Sequence, residues 1–155
     1  MRIISNTSPL IILKKSGAIF ILDELFDEVI IPKSVQKELF RKEKDFFSSL
    51  RFLKVVEPKD RNLVRALKIL VDEGEAEAMA LAMELNTPLL IDDRKGRMIS
   101  ENLGLKYIGS LGLLKMAKNR NIIRKVKPFI ERFMSEGYYL DRELVKKFLE
   151  DIGEE

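Results

Sequence analysis

A chain of 155 residues, 46% hydrophobic, 34% charged and with a formal net charge of +3, is expected to form one soluble domain over residues 1–155. With no cysteine and no histidine, disulfides, thiolate or imidazole metal sites and every nucleophile–histidine couple are excluded. Hydrolytic chemistry is left to carboxylates, hydroxyls, Lys, Arg or a metal held by oxygen ligands, which favour Mg²⁺ or Mn²⁺.

In chain order, Arg2-Ile3-Ile4-Ser5 predicts a first short strand, since β-branched residues suit a pleated, buried backbone. Ser8 before Pro9 marks a helix start with proline at the first helical position. Helical patterns at 10–15 and 18–26 are divided by Gly17. A second strand at 28–31 ends at Pro32 and leads into a helix at 33–44. A short strand at 52–56 precedes a helix capped by Asp60, in which Leu63, Ala66, Leu67 and Leu70 share one face. Asp72-Glu73-Gly74 interrupts that face, and an alanine-rich helix resumes at 75–85. Asn86-Thr87-Pro88 turns into a strand at 89–91, followed by a helix at 94–102. After a last strand at 106–108, Gly109-Ser110-Leu111-Gly112 reads as a tight turn, capped by Ser110, into a helix ending at 118. Helices at 125–135 and 142–152 close the chain. Strands alternate with helices throughout, which predicts an α/β class with a parallel sheet covered by helices. No apolar run has membrane-spanning length and the N-terminus has no signal-peptide layout, so the chain is expected in the cytoplasm with no membrane partner.

Several polar residues fall where packing alone would not choose them. Leu89-Leu90-Ile91-Asp92-Asp93 puts two adjacent carboxylates at the C-terminal tip of a buried strand, where open α/β sheets bind ligands. Adjacent acids repel unless something positive lies beside them, and a divalent cation with a phosphate substrate satisfies both conditions. The plainer alternatives are a helix cap for Asp93 and a turn acid for Asp92. Asn6 follows the first strand at the same sheet edge, or serves as an ordinary turn or cap residue. Glu38 sits beside Leu39 on the apolar side of its helix, or pairs with Lys42 in solvent. Glu75 begins an apolar stripe with Ala78, Met79 and Ala82, or is the third-position glutamate of a capping box opposite Asp72. Glu77 faces elsewhere and reads as structural.

From Arg94 to Arg132 eleven Lys and Arg meet only two acids, a local charge of +9, whereas residues 133–155 carry −4. A basic block starting directly after the Asp pair points to a polyanion across the site; the alternative is a set of solvated helix faces. Phe46, Phe47, Tyr107, Tyr138 and Tyr139 are available to stack on bases or to pack in the core.

In order, these landmarks resemble a PIN domain of the VapC-type toxin superfamily, in the branch whose first motif reads Asn/Asp-Thr-Ser-Pro-Leu-Ile. Here the first motif is Asn6-Thr7-Ser8-Pro9-Leu10-Ile11 and the second Ile31-Pro32-Lys33-Ser34-Val35-Gln36-Lys37-Glu38-Leu39. The third is Gly74-Glu75-Ala76-Glu77-Ala78-Met79-Ala80-Leu81-Ala82, and the fourth Leu89-Leu90-Ile91-Asp92-Asp93-Arg94-Lys95-Gly96-Arg97, followed by Gly109-Ser110-Leu111-Gly112. The resemblance covers essentially the whole chain. It implies a Rossmann-like, three-layer α/β/α fold with a central parallel sheet of four to five strands, and the last two helices (about 125–152) as a C-terminal extension. It also implies Mg²⁺- or Mn²⁺-dependent endoribonuclease chemistry, with metal-activated water attacking a phosphodiester. The family's acidic quartet falls on Asn6, Glu38, Glu75 and Asp93, as catalytic and metal-holding positions. Asp92 is a further acid beside the metal, Ser8 a hydroxyl orienting metal or water, and Arg94, Lys95 and Arg97 the side chains expected to hold the RNA backbone. Homodimerisation and a cognate antitoxin are implied as well. One position departs from the pattern, because Asn6 replaces a carboxylate with an uncharged amide. Either Asp92 supplies the missing charge, or the chain is a weak or inactive nuclease that serves as an RNA-binding or partner-binding module. A signalling receiver, which also carries an acid pair, places that pair after its first strand and fits poorly.

Overall fold

The computed structural model describes residues 1–154; Glu155, the last acid of the C-terminal tail, lies outside the described residues. Five parallel strands, β1 (Arg2–Ser5), β2 (Glu28–Ile31), β3 (Leu53–Val55), β4 (Leu89–Leu90) and β5 (Tyr107–Ile108), form one sheet in the order β3-β2-β1-β4-β5. The helices between and after them are α1 (Thr7–Lys15), α2 (Phe20–Leu25), α3 (Lys33–Ser48), α4 (Arg61–Leu67), α5 (Glu73–Leu85), α6 (Arg94–Asn102), α7 (Ser110–Asn119), α8 (Lys127–Ser135) and α9 (Arg142–Asp151).

Side chains along a strand alternate between faces, and both faces here are apolar, as a parallel sheet buried on two sides requires. Ile3, Val29, Ile31 and Leu90 join one core cluster with Leu13 of α1, Leu22 of α2, Leu39 of α3, Leu114 of α7, Phe133 of α8 and Leu149 of α9. Ile4, Ile30, Leu89 and Ile91 face a second cluster with Val64 of α4, Met79 of α5 and Ile99 of α6. The result is the three-layer arrangement of a sheet between two helical layers. Ala76, Ala78, Ala80 and Ala82 of α5 are no more than 1% exposed, and their small side chains let this helix lie close against β1 and β4. Glu77, buried in the same helix, is paired to Arg61 Nη1 at 2.7 Å, in keeping with a structural role.

Three local expectations differ from what is observed. Helix α1 begins at Thr7 with Asn6 as its cap residue. Pro9 is therefore at the third helical position, where its missing N–H is equally harmless because first-turn donors have no partner within the helix. The break expected after residue 44 is a kink: Glu43 has φ −152° and ψ 73° inside α3, and its carboxylate accepts from Lys14 Nζ at 2.7 Å. The cap residue of α7 is Gly109 instead of Ser110, whose polar groups are engaged across the sheet edge.

Position along the sheet follows from topology. The chain leaves β1 for β2 on one side, while β4 pairs with β1 on the other, so strand order reverses between β1 and β4. The register Ser5↔Leu90 brings Asn6 alongside the residues that follow β4. Ligand crevices of open α/β sheets form at this kind of reversal, beyond the carboxyl ends of the strands. No described helix is long and apolar enough to cross a membrane.

Candidate active site

At the end of β1, Asn6 is 7% exposed, and although it occupies the cap position of α1 its side chain makes no capping hydrogen bond. The amide points instead toward α3 and α5. A Cβ placed on Gly74 would lie 3.1 Å from Glu38 Oε1, 3.4 Å from Val35 Cγ2 and 3.7 Å from Asn6 Oδ1. Glycine at position 74 thus leaves the room in which the Glu38 carboxylate and the Asn6 amide meet over the first turn of α5. Glu38 forms no ion pair with Lys42 among the described residues, so the solvent-pair alternative for this acid is not realised.

The second pair of groups meets over Gly96. A Cβ there would lie 2.6 Å from Ile91 Cδ1, 2.7 Å from Glu75 Oε2 and 3.4 Å from Asp93 Oδ2. A glycine inside a helix is unfavourable by about 1 kcal/mol relative to alanine, and close approach of Glu75 and Ile91 is the reason for this one. Asp93 caps α6, its Oδ2 accepting from Gly96 N at 2.8 Å, while facing Glu75. The cap reading and the site reading of Asp93 therefore hold together.

Glu75 carries half of a capping box. Its backbone N–H donates to Asp72 Oδ1 at 2.9 Å, but its own side chain turns inward, and Oε2 is buried without a hydrogen-bond partner. Burial first, then the negative charges of Asp72 and Asp93, a hydrogen bond with Asp72 and the charge of Glu38 push its carboxyl up to about 8. Asp72 is thus a fourth carboxylate of the cluster that sequence reading assigned only to a cap. The spacing of Asp72 and Glu75 on one helical turn was the available sign. Thr7 was also missed: its buried Oγ1 has no partner, and with Ser8 and Glu38 it lines a hollow of about 340 Å³ bounded by Tyr138.

Asp92 is used differently from its neighbour. Ser110 donates to both of its oxygens, from the backbone N–H to Oδ1 at 2.6 Å and from Oγ to Oδ2 at 2.5 Å. The Tyr138 side chain lies near the same carboxylate, and burial together with the Asp92 charge raises this phenol well above its ordinary range. Asp92, expected to replace the charge missing at Asn6, is a carboxylate already engaged by Ser110; a further charge near Glu75 comes from Asp72. Arg94 and Arg97 line a groove of about 770 Å³ beside Asp92. Lys95 is exposed and lies outside that lining. A smaller hollow of about 310 Å³ lies at the opposite end of the sheet, around Thr87 and Pro88, away from these acids.

Among the described residues no three Asp or Glu side chains form a ready-made metal cluster; the groups stand as two neighbouring pairs, Asn6 with Glu38 and Glu75 with Asp93. Their chemistry nevertheless fits a divalent cation. All donors are hard oxygens of the kind Mg²⁺ and Mn²⁺ accept. A buried, unpartnered carboxylate oxygen crowded by other acids is a group short of positive charge.

Comparison with curated proteins finds no match. The family model DUF3368, described as a PIN domain, matches residues 2–154. PIN domains are generally nucleases that use divalent metal ions, in keeping with the acids gathered at the end of β1 and β4. The chain belongs to the PIN-domain family.

Proposed function

We propose that this protein is a divalent-metal-dependent endoribonuclease, with Glu38, Glu75, Asp93 and the Asn6 amide as the groups that hold the metal. The observation that carries the reading is the inward-turned Glu75, whose buried oxygen lacks a partner while three other acids raise its proton affinity. When bound, a divalent cation offsets charge on the phosphate and lowers the pKa of water. The remaining work falls to the chain itself. Glu75 has to release its competing proton to hold the metal, Asp93 adds a carboxylate and Asn6 an uncharged oxygen, and Asp72 keeps α5 capped so that Glu75 stays in place. Arg94 and Arg97 attract the phosphate backbone and favour approach of RNA from their side. Ser8 borders the hollow next to Glu38 and is the hydroxyl available to orient water. The toxin role, neutralisation by an antitoxin and homodimer assembly are supported by the motif resemblance.

The test is cleavage of a panel of single-stranded and structured RNAs with Mg²⁺, Mn²⁺ or EDTA. Activity that requires metal and disappears in Asp93→Asn supports the reading; cleavage that survives that substitution overturns the assigned site. The second reading, a weak or inactive RNA-binding module, is favoured by the uncharged amide at Asn6. On that reading Asn6→Asp raises both Mn²⁺ affinity and cleavage, by about tenfold or more for one added charge at contact distance. Unchanged values would make the amide an adequate ligand.

A further inference from the structure

We propose that the groove between the start of α6 and the α8–α9 connection holds one unpaired nucleobase of the RNA, stacked on Tyr139; this rests on the ribonuclease reading above. The groove, about 770 Å³, is bordered by Arg94, Arg97 and Ser110 on one side and by Tyr139 and Leu144 on the other. That volume lies in the range of pockets that take small organic ligands.

Its two walls differ in chemistry. Tyr139 is 87% exposed and Leu144 55% exposed, although α9 has a buried face of its own in Val145 and Leu149. Neither Arg94 nor Arg97 forms an ion pair among the described residues. Free guanidinium groups alone would suit any anion, and an exposed ring alone any apolar surface. Both within one groove suit a nucleotide, whose base offers a flat face to the ring and whose phosphate pairs with arginine. Two acids line the groove: Asp92 accepts two bonds from Ser110, and Asp141 accepts from the backbone N–H groups of Glu143 and Leu144 at the start of α9. Each therefore repels an incoming phosphate less than a bare carboxylate does.

Backbone order gives the subsite its place in the reaction. Tyr138 packs its ring on Phe133 at 5.7 Å and donates its backbone N–H to Phe133 O at 3.0 Å, so the next residue, Tyr139, is presented from an anchored segment and loses little freedom on stacking. Asp92 directly precedes Asp93, so the groove begins one residue from the proposed metal-holding acids. The base stacked there belongs to a nucleotide next to the scissile phosphate. Bases in a duplex keep their faces covered by their neighbours, so the substrate class is single-stranded or looped RNA.

The chain contains no tryptophan, so Tyr139→Trp installs a single indole reporter in the groove. In an Asp93→Asn background, which leaves the RNA intact, a single-stranded oligoribonucleotide is expected to quench this fluorescence, and a matched duplex to leave it unchanged. By fluorescence anisotropy, Tyr139→Ala weakens single-strand binding about tenfold, the contribution of one base stack, and Tyr139→Phe restores it. Binding equal to that of the parent in Tyr139→Ala, or equal quenching by duplex, overturns the subsite while the ribonuclease reading stands. A wild-type chain that neither binds nor cuts any RNA in the presence of Mn²⁺ overturns both.

Discussion

Replacing Glu75 with glutamine removes a charge that the folded chain, without metal, holds at a disadvantage. The carboxyl is pushed up to about 8 from an ordinary 4.5, with burial the largest cause, followed by Asp72, Asp93 and Glu38. In the unfolded chain the same group loses its proton near its ordinary value. Between roughly pH 4.5 and pH 8 the folded state therefore binds more protons than the unfolded one, and unfolding free energy falls as pH rises. The full slope is about 1.4 kcal/mol per pH unit, about 3 kcal/mol by pH 7; partial burial and salt screening reduce this to about 1–2 kcal/mol. Glutamine keeps the shape and cannot ionise. In EDTA, Glu75→Gln is expected to match the wild type near pH 4.5 and to exceed it near pH 8. The corresponding rise in Tm is about 3–8 °C for a chain of this size. Addition of Mn²⁺ should invert the order, because metal stabilises only the form that binds it. Thermal unfolding at several pH values, with EDTA and then with Mn²⁺, reads both effects. A Glu75→Gln variant less stable than wild type near pH 8 in EDTA, or a difference that does not change with pH, would refute the reasoning and leave Glu75 a helix-cap residue.

Two further predictions test the parts that hold the site in place. Gly96→Ala puts a methyl group 2.6 Å from Ile91 Cδ1 and 2.7 Å from Glu75 Oε2; it is expected to destabilise the fold by about 1–3 kcal/mol in urea unfolding and to weaken Mn²⁺ binding in a titration. Glu154 accepts from Lys118 Nζ at 2.8 Å, Val126 N at 2.8 Å and Lys127 N at 3.0 Å. Burial acts to raise its carboxyl, but Lys118 and the backbone N–H groups of Val126 and Lys127 outweigh it and hold it below the ordinary range. That stabilisation is present above the unfolded carboxylate value and is lost as pH falls through the folded one. Glu154→Gln should lower stability at neutral pH by about 1–2 kcal/mol, with the difference from wild type vanishing in acid; a loss of equal size at both pH values would contradict it.

The strands and most helices were legible because their signals are local. Ile3-Ile4, Val29-Ile30-Ile31 and Leu89-Leu90-Ile91 are continuous apolar runs that only a sheet covered on both faces accepts. The closeness of Asn6 to Glu38 and of Glu75 to Asp93 was legible for a related reason: Asn6 and Asp93 follow strands, Glu75 begins a helix, and Glu38 lies in the helix that leaves β2 at the same edge. The fate of Asp92 was not. Its partner Ser110 and its neighbour Tyr138 lie 18 and 46 residues further along, and no periodicity reports a meeting between a strand end and segments so distant. Asp72 escaped because its capping bond to Glu75 N explains its presence without reference to its charge. The helix starts at Asn6 and Gly109 were misjudged where Ser8 and Ser110 looked like better caps. In each case tertiary contacts decided, leaving Asn6 uncapped toward the acids and drawing Ser110 to Asp92.

Tyr138, which lines both the hollow beside Glu38 and the groove beside Asp92, makes the far end of the chain a structural part of the sheet edge where the acids gather. A chain shortened before residue 138 keeps all five strand segments yet removes the tyrosine wall shared by the hollow and the groove. Boundaries drawn by the strands alone would therefore yield a protein with every acid present and its neighbourhood altered. The segment 138–144 marks how far the chain must extend for the site and its groove to remain whole.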